Sequence, residues 1–177
     1  MNLFIDTTSS YIILSLFDND VKDSNIMETN RNQSEVFMEV LDTFLIKNNV
    51  HLNEIKHFYF ACGPGSFTGI RVGLTFMKGL LVSGYTNINT IPSLYLLFDD
   101  FKDSNSIIDA RGGKYYTQQV KDGTMQEAKL IECDNIDSSK YCTYDKELIN
   151  IPSNVVRLVK NNYITSDFNG IYIKEAF

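Results

Sequence analysis

Apolar residues near the start of the chain fall into short runs separated by polar turns. Leu3–Ile5 is followed by the polar stretch Asp6–Ser10, which predicts a strand that ends in a turn. Tyr11–Phe17 is rich in aromatic and branched residues and predicts a second strand. Val21–Thr29 predicts a third strand, interrupted by polar residues. Three such runs so close in sequence predict an antiparallel meander.

The spacing of apolar residues then changes to that of helices and buried strands. The aromatic run His57–Ala61 predicts a buried strand, and Thr68–Ser83 predicts a second helix after a glycine-rich break. Asn87–Ile91 predicts a further strand, and a short apolar helix is expected over Leu94–Phe98. Earlier in the chain, before the strand at His57–Ala61, one wide apolar face predicts a first helix. Its members are Val36, Phe37, Val40, Leu41, Phe44 and Leu45.

The second part of the chain carries shorter strand-like runs. The polar segment Lys102–Ser106 predicts a linker. The order of elements alone predicts an α/β or α+β fold, with an N-terminal lobe at 1–104 and a small C-terminal lobe at 105–177. The elements expected after the linker are strands at Ser106–Ala110, Lys114–Val120, Glu127–Cys133 and Gly170–Lys174, and a helix at Pro152–Val159.

Composition and charge narrow the class of protein. The chain has 177 residues, a formal net charge of -6 and no basic run, so it is poorly suited to bind nucleic-acid phosphates by itself. Its three cysteines form no C-x-x-C pair, which favours reduced thiols over a disulfide framework. No segment approaches the roughly 18 apolar residues of a membrane span, and the first residues lack a signal-peptide pattern. We therefore expect a cytoplasmic protein.

A glycine-rich break, Gly63-Pro64-Gly65-Ser66-Phe67-Thr68-Gly69, joins the buried strand to the second helix. Glycine at such a place allows either a positive φ or close approach of another backbone. A tight strand-to-helix turn and a phosphate cradle at the helix N-terminus are both compatible with this spacing. A Walker A loop is excluded, because Gly69 is followed by Ile70 and Arg71 instead of Lys and Ser or Thr.

The two helices carry more apolar surface than one sheet needs. Gly69 and Gly73 share one helical face, and on the first helix Met38 and Ile46 lie outside the main stripe. These faces either pack on the protein's own sheet or form an exposed surface for a partner. We predict a partner surface on both helices, formed by Phe37, Val40, Leu41, Phe44, Gly69, Ile70, Gly73, Leu74 and Met77.

The stretch Gly63–Leu74 (GPGSFTGIRVGL), followed by Lys78-Gly79-Leu80, resembles the signature of the TsaB family, also called YeaZ. In that signature the matching residues are Gly63, Pro64, Gly65, Ser66, Phe67, Thr68 and Arg71. Further similarities occur in the same order along the chain: Phe4–Thr8, Gln33–Glu35, Pro92–Leu94, Asp109–Arg111, Lys114–Tyr116 and Ile171–Lys174.

The resemblance implies a fold and a role. The implied fold is an RNase H-like, actin-like lobe with a mixed five-stranded sheet and flanking helices, plus a small, shortened second α/β lobe. The implied role is a non-catalytic subunit that pairs with a TsaD homologue, and with a TsaE homologue in the complex, to form N6-threonylcarbamoyladenosine at position 37 of tRNA. A homodimer through the same helices is also implied, tRNA is contacted only indirectly, and ATP and Mg²⁺ belong to partner subunits.

Two departures from the family pattern bear on the site. Gln33 stands where the family often has histidine, which argues against a general base there, and the second lobe is shorter than usual. The Asp6-Thr7-Thr8 turn resembles the first phosphate loop of actin-like kinases, but Asp109–Gly113 lacks the hydroxyl of the matching second loop. Asp6 is therefore either a turn-capping carboxylate or part of a vestigial phosphate loop.

No catalytic or metal-binding residues are predicted. The only histidines, His51 and His57, do not share a helical face as metal ligands, and Ser66 is not in a G-x-S-x-G elbow. The alternative function is a weak ATPase or phosphotransferase that uses Asp6 and Thr8. A peptidase is disfavoured because the ligands of the glycopeptidase-type metal site are missing.

Overall fold

The first sheet contains the predicted meander and two parallel strands. A computed structural model describes residues 1–30, 32–98 and 102–165. Its first five strands are β1 (Asn2–Asp6), β2 (Tyr11–Phe17), β3 (Val21–Glu28), β4 (His57–Ala61) and β5 (Ile88–Ile91). Strands β1 to β3 pair antiparallel, whereas β1, β4 and β5 run parallel. The order β3-β2-β1-β4-β5 is that of an RNase H-like lobe, so the predicted fold class is confirmed.

Both faces of this sheet are covered, so β1 has no solvent side. Helices α1 (Gln33–Lys47) and α2 (Phe67–Val82) pack on one face, where Leu3 and Ile5 join their apolar cluster. Because side chains alternate along a strand, Phe4 points into the cluster on the opposite face. This explains the continuous apolar run of β1, which is typical of a strand buried on both sides.

A second, smaller sheet follows at Ser104. It consists of β6 (Ser104–Arg111), β7 (Lys114–Lys121), β8 (Thr124–Met125) and β9 (Lys129–Glu132). Strand β7 pairs antiparallel with each of the other three. Two helices complete the described chain, α3 (Tyr144–Glu147) and α4 (Ile151–Lys160).

Helix α4 fastens the second part of the chain to the first sheet. Its Val155 and Leu158 are fully buried in the cluster that contains Phe4 of β1 and Tyr116 of β7. The Asn154 amide donates to the Leu96 carbonyl at 2.9 Å. Since the two sheets contribute to one apolar cluster, the division into units 1–104 and 105–177 stays a prediction.

Some predicted elements differ from the structure. The linker predicted at Lys102–Ser106 is partly wrong, because Ser104 and the residues after it pair with β7; cross-strand pairing overrides the low strand preference of these residues. The helix predicted at Leu94–Phe98 is a single 3-10 turn, Tyr95–Leu97. The last predicted strand, Gly170–Lys174, lies outside the described residues.

Candidate functional site

The turn that follows β1, residues Asp6–Thr8 (the β1 turn), lies directly against the start of α2. A Cβ atom on Gly65 would stand 2.3 Å from the Thr8 carbonyl oxygen, and one on Gly69 would stand 1.8 Å from the Thr7 carbonyl oxygen. Both distances are far below van der Waals contact, so only glycine fits at these positions. Of the two roles open to glycine in this break, close backbone approach applies at Gly65 and Gly69, whose neighbour is the chain's own β1 turn, and positive φ applies at Gly63, with φ of 96°.

Hydrogen bonds hold this contact in place. The Ser66 N–H donates to the Thr8 carbonyl at 2.6 Å, and the Thr7 hydroxyl donates to the Gly69 carbonyl at 2.7 Å. The Ser66 hydroxyl also caps α2 by accepting from the Gly69 N–H at 3.3 Å, which satisfies one free donor of the first helical turn. The N-terminus of α2 is therefore fixed by the β1 turn.

The carboxylate of Asp6 is fully buried, and hydrogen-bond donors surround it. Its Oδ1 atom accepts from the N–H and the hydroxyl of Thr8 at 2.7 and 2.8 Å. Its Oδ2 atom accepts from the hydroxyl of Tyr144 at 2.9 Å. The Thr8 hydroxyl lies 2.9 Å from the Ser93 hydroxyl, which accepts from the Gly63 N–H at 3.1 Å. The turn-capping interpretation of Asp6 is confirmed.

Burial controls the protonation of Asp6 and of its hydrogen-bond partner Tyr144. Desolvation raises the pKa of Asp6 above its ordinary value, while hydrogen bonds from Thr8 and Tyr144 act in the opposite direction. Desolvation, and then the nearby Asp6 charge, raise the pKa of Tyr144 well above its ordinary value. Tyr144 therefore keeps its proton at neutral pH and acts as the donor in the pair.

The side chains of the β1 turn and the Thr8 N–H all have hydrogen-bond partners inside the chain. Thr7 and Thr8 are each 1% exposed, and the Thr8 N–H, which a phosphate would need, points to Asp6. A vestigial phosphate loop does not fit this arrangement. Across the described part of the chain, no group of three or more His, Cys, Asp or Glu side chains is placed to hold a metal ion.

Most residues predicted for the partner surface lie inside the chain. They face the apolar side of the first sheet, where the alternating residues of β1, β2 and β4 complete the cluster. The exposed position predicted for them is therefore wrong, because they pack on the protein's own sheet, although Phe37 also lines the groove between the two helices. The buried residues are Phe37, Val40, Leu41, Phe44, Gly69, Ile70, Gly73 and Met77, and Leu74 packs half-buried beside them.

The outer faces of α1 and α2 instead form an open apolar groove of about 640 Å³. The Phe37 and Phe76 rings meet edge to face in its lining, with centroids 5.3 Å apart. Gly79 also lines the groove, and a Cβ atom there would find no other atom within 4 Å. Met38, Val72, Leu80 and Tyr85 complete most of the apolar lining.

Exposed apolar side chains concentrate on the same two helices. Met38 and Ile46 on α1 are 50% and 75% exposed, and Phe67 and Val82 on α2 are 52% and 90% exposed. The excess apolar surface that the sequence predicts at Met38 and Ile46 is confirmed. Arg71, which lines the groove, lies over the Phe67 ring at 3.9 Å, so this edge of the groove also carries a positive charge.

Gln33 has a structural role at the first turn of α1. Its side chain is 4% exposed, and its amide Nε2 donates to the Ser9 carbonyl at 2.9 Å. The amide thereby attaches α1 to the connection between β1 and β2. Because an amide does not titrate, Gln33 brings no acid–base chemistry to this position.

A model of the family described as "TsaD: tRNA N6-adenosine threonylcarbamoyltransferase" matches residues 27–165. An uncharacterized protein of Mycoplasma genitalium is 38% identical over 79 residues, which are 43% of this chain and 40% of that protein. The tRNA threonylcarbamoyladenosine biosynthesis protein TsaB of Bacillus subtilis is 30% identical over 132 residues. That match covers 71% of this chain and 58% of the relative, so the chain spans roughly half the length of these two relatives.

Comparison with solved structures identifies the same fold. YeaZ from Pseudomonas aeruginosa superposes with a TM-score of 0.70 at 15% identity, over 97% of this chain and all of the other. This likeness shows the fold. In the parts of the chain that the structure describes, no helix has the length and apolar character needed to cross a bilayer.

The two glycines of α2 at positions 69 and 79 should respond oppositely to alanine. Gly69→Ala is expected to lower the free energy of unfolding by at least about 2 kcal/mol, because the new methyl group overlaps the Thr7 carbonyl. Gly79→Ala, the matched control, should raise stability by up to about 1 kcal/mol, because alanine favours the helix and meets no neighbour. Urea unfolding of both variants measures this, and equal effects would contradict the packing described here.

Replacing Asp6 by the non-titrating Asn should change how stability depends on pH. A carboxyl whose pKa is raised in the folded state stabilises the fold most below its unfolded pKa, and this contribution is lost as pH rises through the folded pKa. The stability of the natural protein relative to Asp6→Asn should therefore fall as pH rises above the ordinary pKa of the carboxyl, about 4. Unfolding midpoints in urea at increasing pH test the sign, and a difference that grows with pH would mean that the hydrogen bonds outweigh desolvation.

Proposed function

Because the chain belongs to the TsaB (YeaZ) family, we propose that it is a non-catalytic partner subunit in the formation of N6-threonylcarbamoyladenosine at position 37 of tRNA. The names of its relatives support a place in tRNA threonylcarbamoyladenosine biosynthesis, and the name of the matching family model supports an association with TsaD. In this proposal a TsaD homologue performs the transfer, this chain pairs with it as an activator, and a TsaE homologue completes the complex in the cytoplasm.

The groove between α1 and α2 is the observation that carries the proposal. It is apolar and open, the exposed Met38 lies in its lining, and three further exposed apolar side chains lie elsewhere on the same helices: Ile46, Phe67 and Val82. Large exposed apolar patches mark interaction sites. A helix of the TsaD homologue that places an apolar side chain over Gly79 and a carboxylate near Arg71 would complement this surface in shape and charge. A second copy of this chain could occupy the same face in a homodimer.

The chemistry of the β1 turn supports a non-catalytic role. Asp6, the residue on which a phosphotransferase would depend, is fully buried and bonded through both oxygens to Thr8 and Tyr144. No observation favours the weak ATPase alternative. ATP and Mg²⁺ therefore belong to the partner subunits in this proposal. The net charge of -6 likewise leaves the main tRNA contacts to the partners.

Reconstitution of the modification tests this role. Purified TsaD and TsaE homologues, tRNA, ATP and the threonylcarbamoyl precursor are incubated with and without this chain, and modified nucleoside is measured by mass spectrometry. We expect at least about tenfold more product with the chain, because an activator must lower the barrier of the rate-limiting step. A reaction without the TsaD homologue is the control. Equal amounts of modified nucleoside with and without the chain would contradict the partner-subunit proposal.

A bulky residue at Gly79 tests the docking surface separately. Gly79→Trp places a bulky ring in the groove from a position where an added Cβ atom meets no neighbour, so we expect affinity for the TsaD homologue to fall at least about tenfold, which corresponds to about 1.4 kcal/mol. Gly79→Ala keeps the groove open and should bind like the natural chain. Calorimetry measures both affinities, and circular dichroism checks that both variants fold. Tight binding by the tryptophan variant would exclude the groove as the interface.

A further inference from the structure

The segment from Cys142 to Leu148, which we call the strap, crosses from the second sheet to the β1 turn. At its start, Cys142 joins the edge of β6: its N–H donates to the Asn105 carbonyl at 2.7 Å, and its carbonyl accepts from the Ile107 N–H at 3.0 Å. The strap is therefore attached to the second sheet by backbone hydrogen bonds on both sides of one residue.

Further contacts hold the strap in its path. Thr143 caps α3 by accepting from the Lys146 N–H at 3.4 Å. The Lys146 ammonium group donates to the carbonyls of Ser138 and Tyr141 at 2.6 and 3.0 Å. These bonds join the strap to the residues just before it, so Tyr144 is presented to the β1 turn from a restrained backbone.

At the other end, Tyr144 reaches the groups that fix α2. Its hydroxyl donates to Asp6 and lies 3.1 Å from the Thr8 hydroxyl. The Thr8 carbonyl in turn accepts from the N–H of Ser66, which caps α2. A continuous series of hydrogen bonds therefore runs from the strap through the β1 turn to the N-terminus of α2. That end of α2 carries Thr68 and Arg71, which line the groove.

We propose that the strap, through the Tyr144 hydroxyl, holds the β1 turn and the N-terminus of α2 in one arrangement, and so sets the shape of the docking groove. Tyr144 is thus a positioning residue for the partner surface. The effect of Tyr144 on binding to the TsaD homologue rests on the proposed function, whereas the coupling within the chain does not. Without the hydroxyl, Asp6 Oδ2 loses its donor inside the protein, and the cost of a buried unpaired acceptor falls on the β1 turn.

Residue-resolved hydrogen exchange of the full chain tests this coupling. Removal of one buried hydrogen bond changes a local equilibrium by about tenfold, so in Tyr144→Phe we expect exchange at the amides of Thr8, Gly63 and Ser66 to become about tenfold faster. Amides that exchange through local opening elsewhere, such as those of the edge strand β3 and of the last turn of α1, should change much less, because those openings leave the Tyr144 contact intact. A purely structural loss would accelerate all of them together.

Tyr116→Phe is the matched control. Tyr116 is a buried tyrosine of the same apolar cluster, and within the described residues it gives no hydrogen bond to Asp6 or Thr8. This variant should leave exchange at Thr8, Gly63 and Ser66 unchanged. Uniform acceleration in Tyr144→Phe, or no acceleration at the β1 turn, would overturn the proposal.

The affinity for the TsaD homologue separates this inference from the proposed function. If the natural chain pairs with the homologue, Tyr144→Phe should bind several-fold more weakly and Tyr116→Phe equally well. Unchanged affinity in Tyr144→Phe would overturn the link to the groove. If the natural chain does not pair at all, the proposed function fails, and hydrogen exchange still decides whether Tyr144 orders the start of α2.

Discussion

The buried carboxylate of Asp6 is the constraint on which the arrangement of the molecule depends. It stands at the end of the central strand of a sheet covered on both faces, so water cannot solvate it. A buried charge without donors costs several kcal/mol, and Thr8 supplies donors to only one of its two oxygens. The other oxygen is satisfied by Tyr144, 138 positions further along the chain. Satisfying one carboxylate thus brings the strap of the second sheet onto the first sheet.

The same turn imposes a second constraint through its backbone. The carbonyls of Thr7 and Thr8 occupy the space in which side chains of residues 65 and 69 would stand. The glycine-rich break therefore serves the close packing of one turn against one helix. The hydroxyl and carboxylate groups of the β1 turn are hydrogen-bonded within the chain, and the glycines at 65 and 69 pack against its carbonyls. Their chemistry stabilises the fold, and the docking surface proposed for this chain lies apart from them, in the groove between α1 and α2.

The sequence predicts the regular elements well because their apolar periods are clear. The meander, His57–Ala61 and both long helices lie where the periodicity places them. Prediction from the sequence fails where the contacts of a residue are made with residues far away in the chain. Tyr144 begins a four-residue helix without a periodic pattern, and nothing near it in sequence indicates its contact with Asp6. The wide stripe of α1 identifies buried residues such as Phe37 and Leu41, but the stripe cannot tell the chain's own sheet from a partner.

Helical geometry separates these two possibilities within α2. Residues 69 and 73 are four apart and share a face, whereas residue 79 is turned from residue 69 by about a quarter of the helix circumference. Gly69 and Gly73 face the β1 turn, and Gly79 faces the open groove. Glycine within a helix costs about 1 kcal/mol relative to alanine. At the first two positions, packing inside the chain explains that cost. At Gly79 nothing within the chain does, because no atom approaches the missing Cβ. A glycine that destabilises its helix and packs against nothing within the chain is expected on a surface that binds another molecule. Gly79 is such a residue, and it lies on the face of α2 that does not pack in the core.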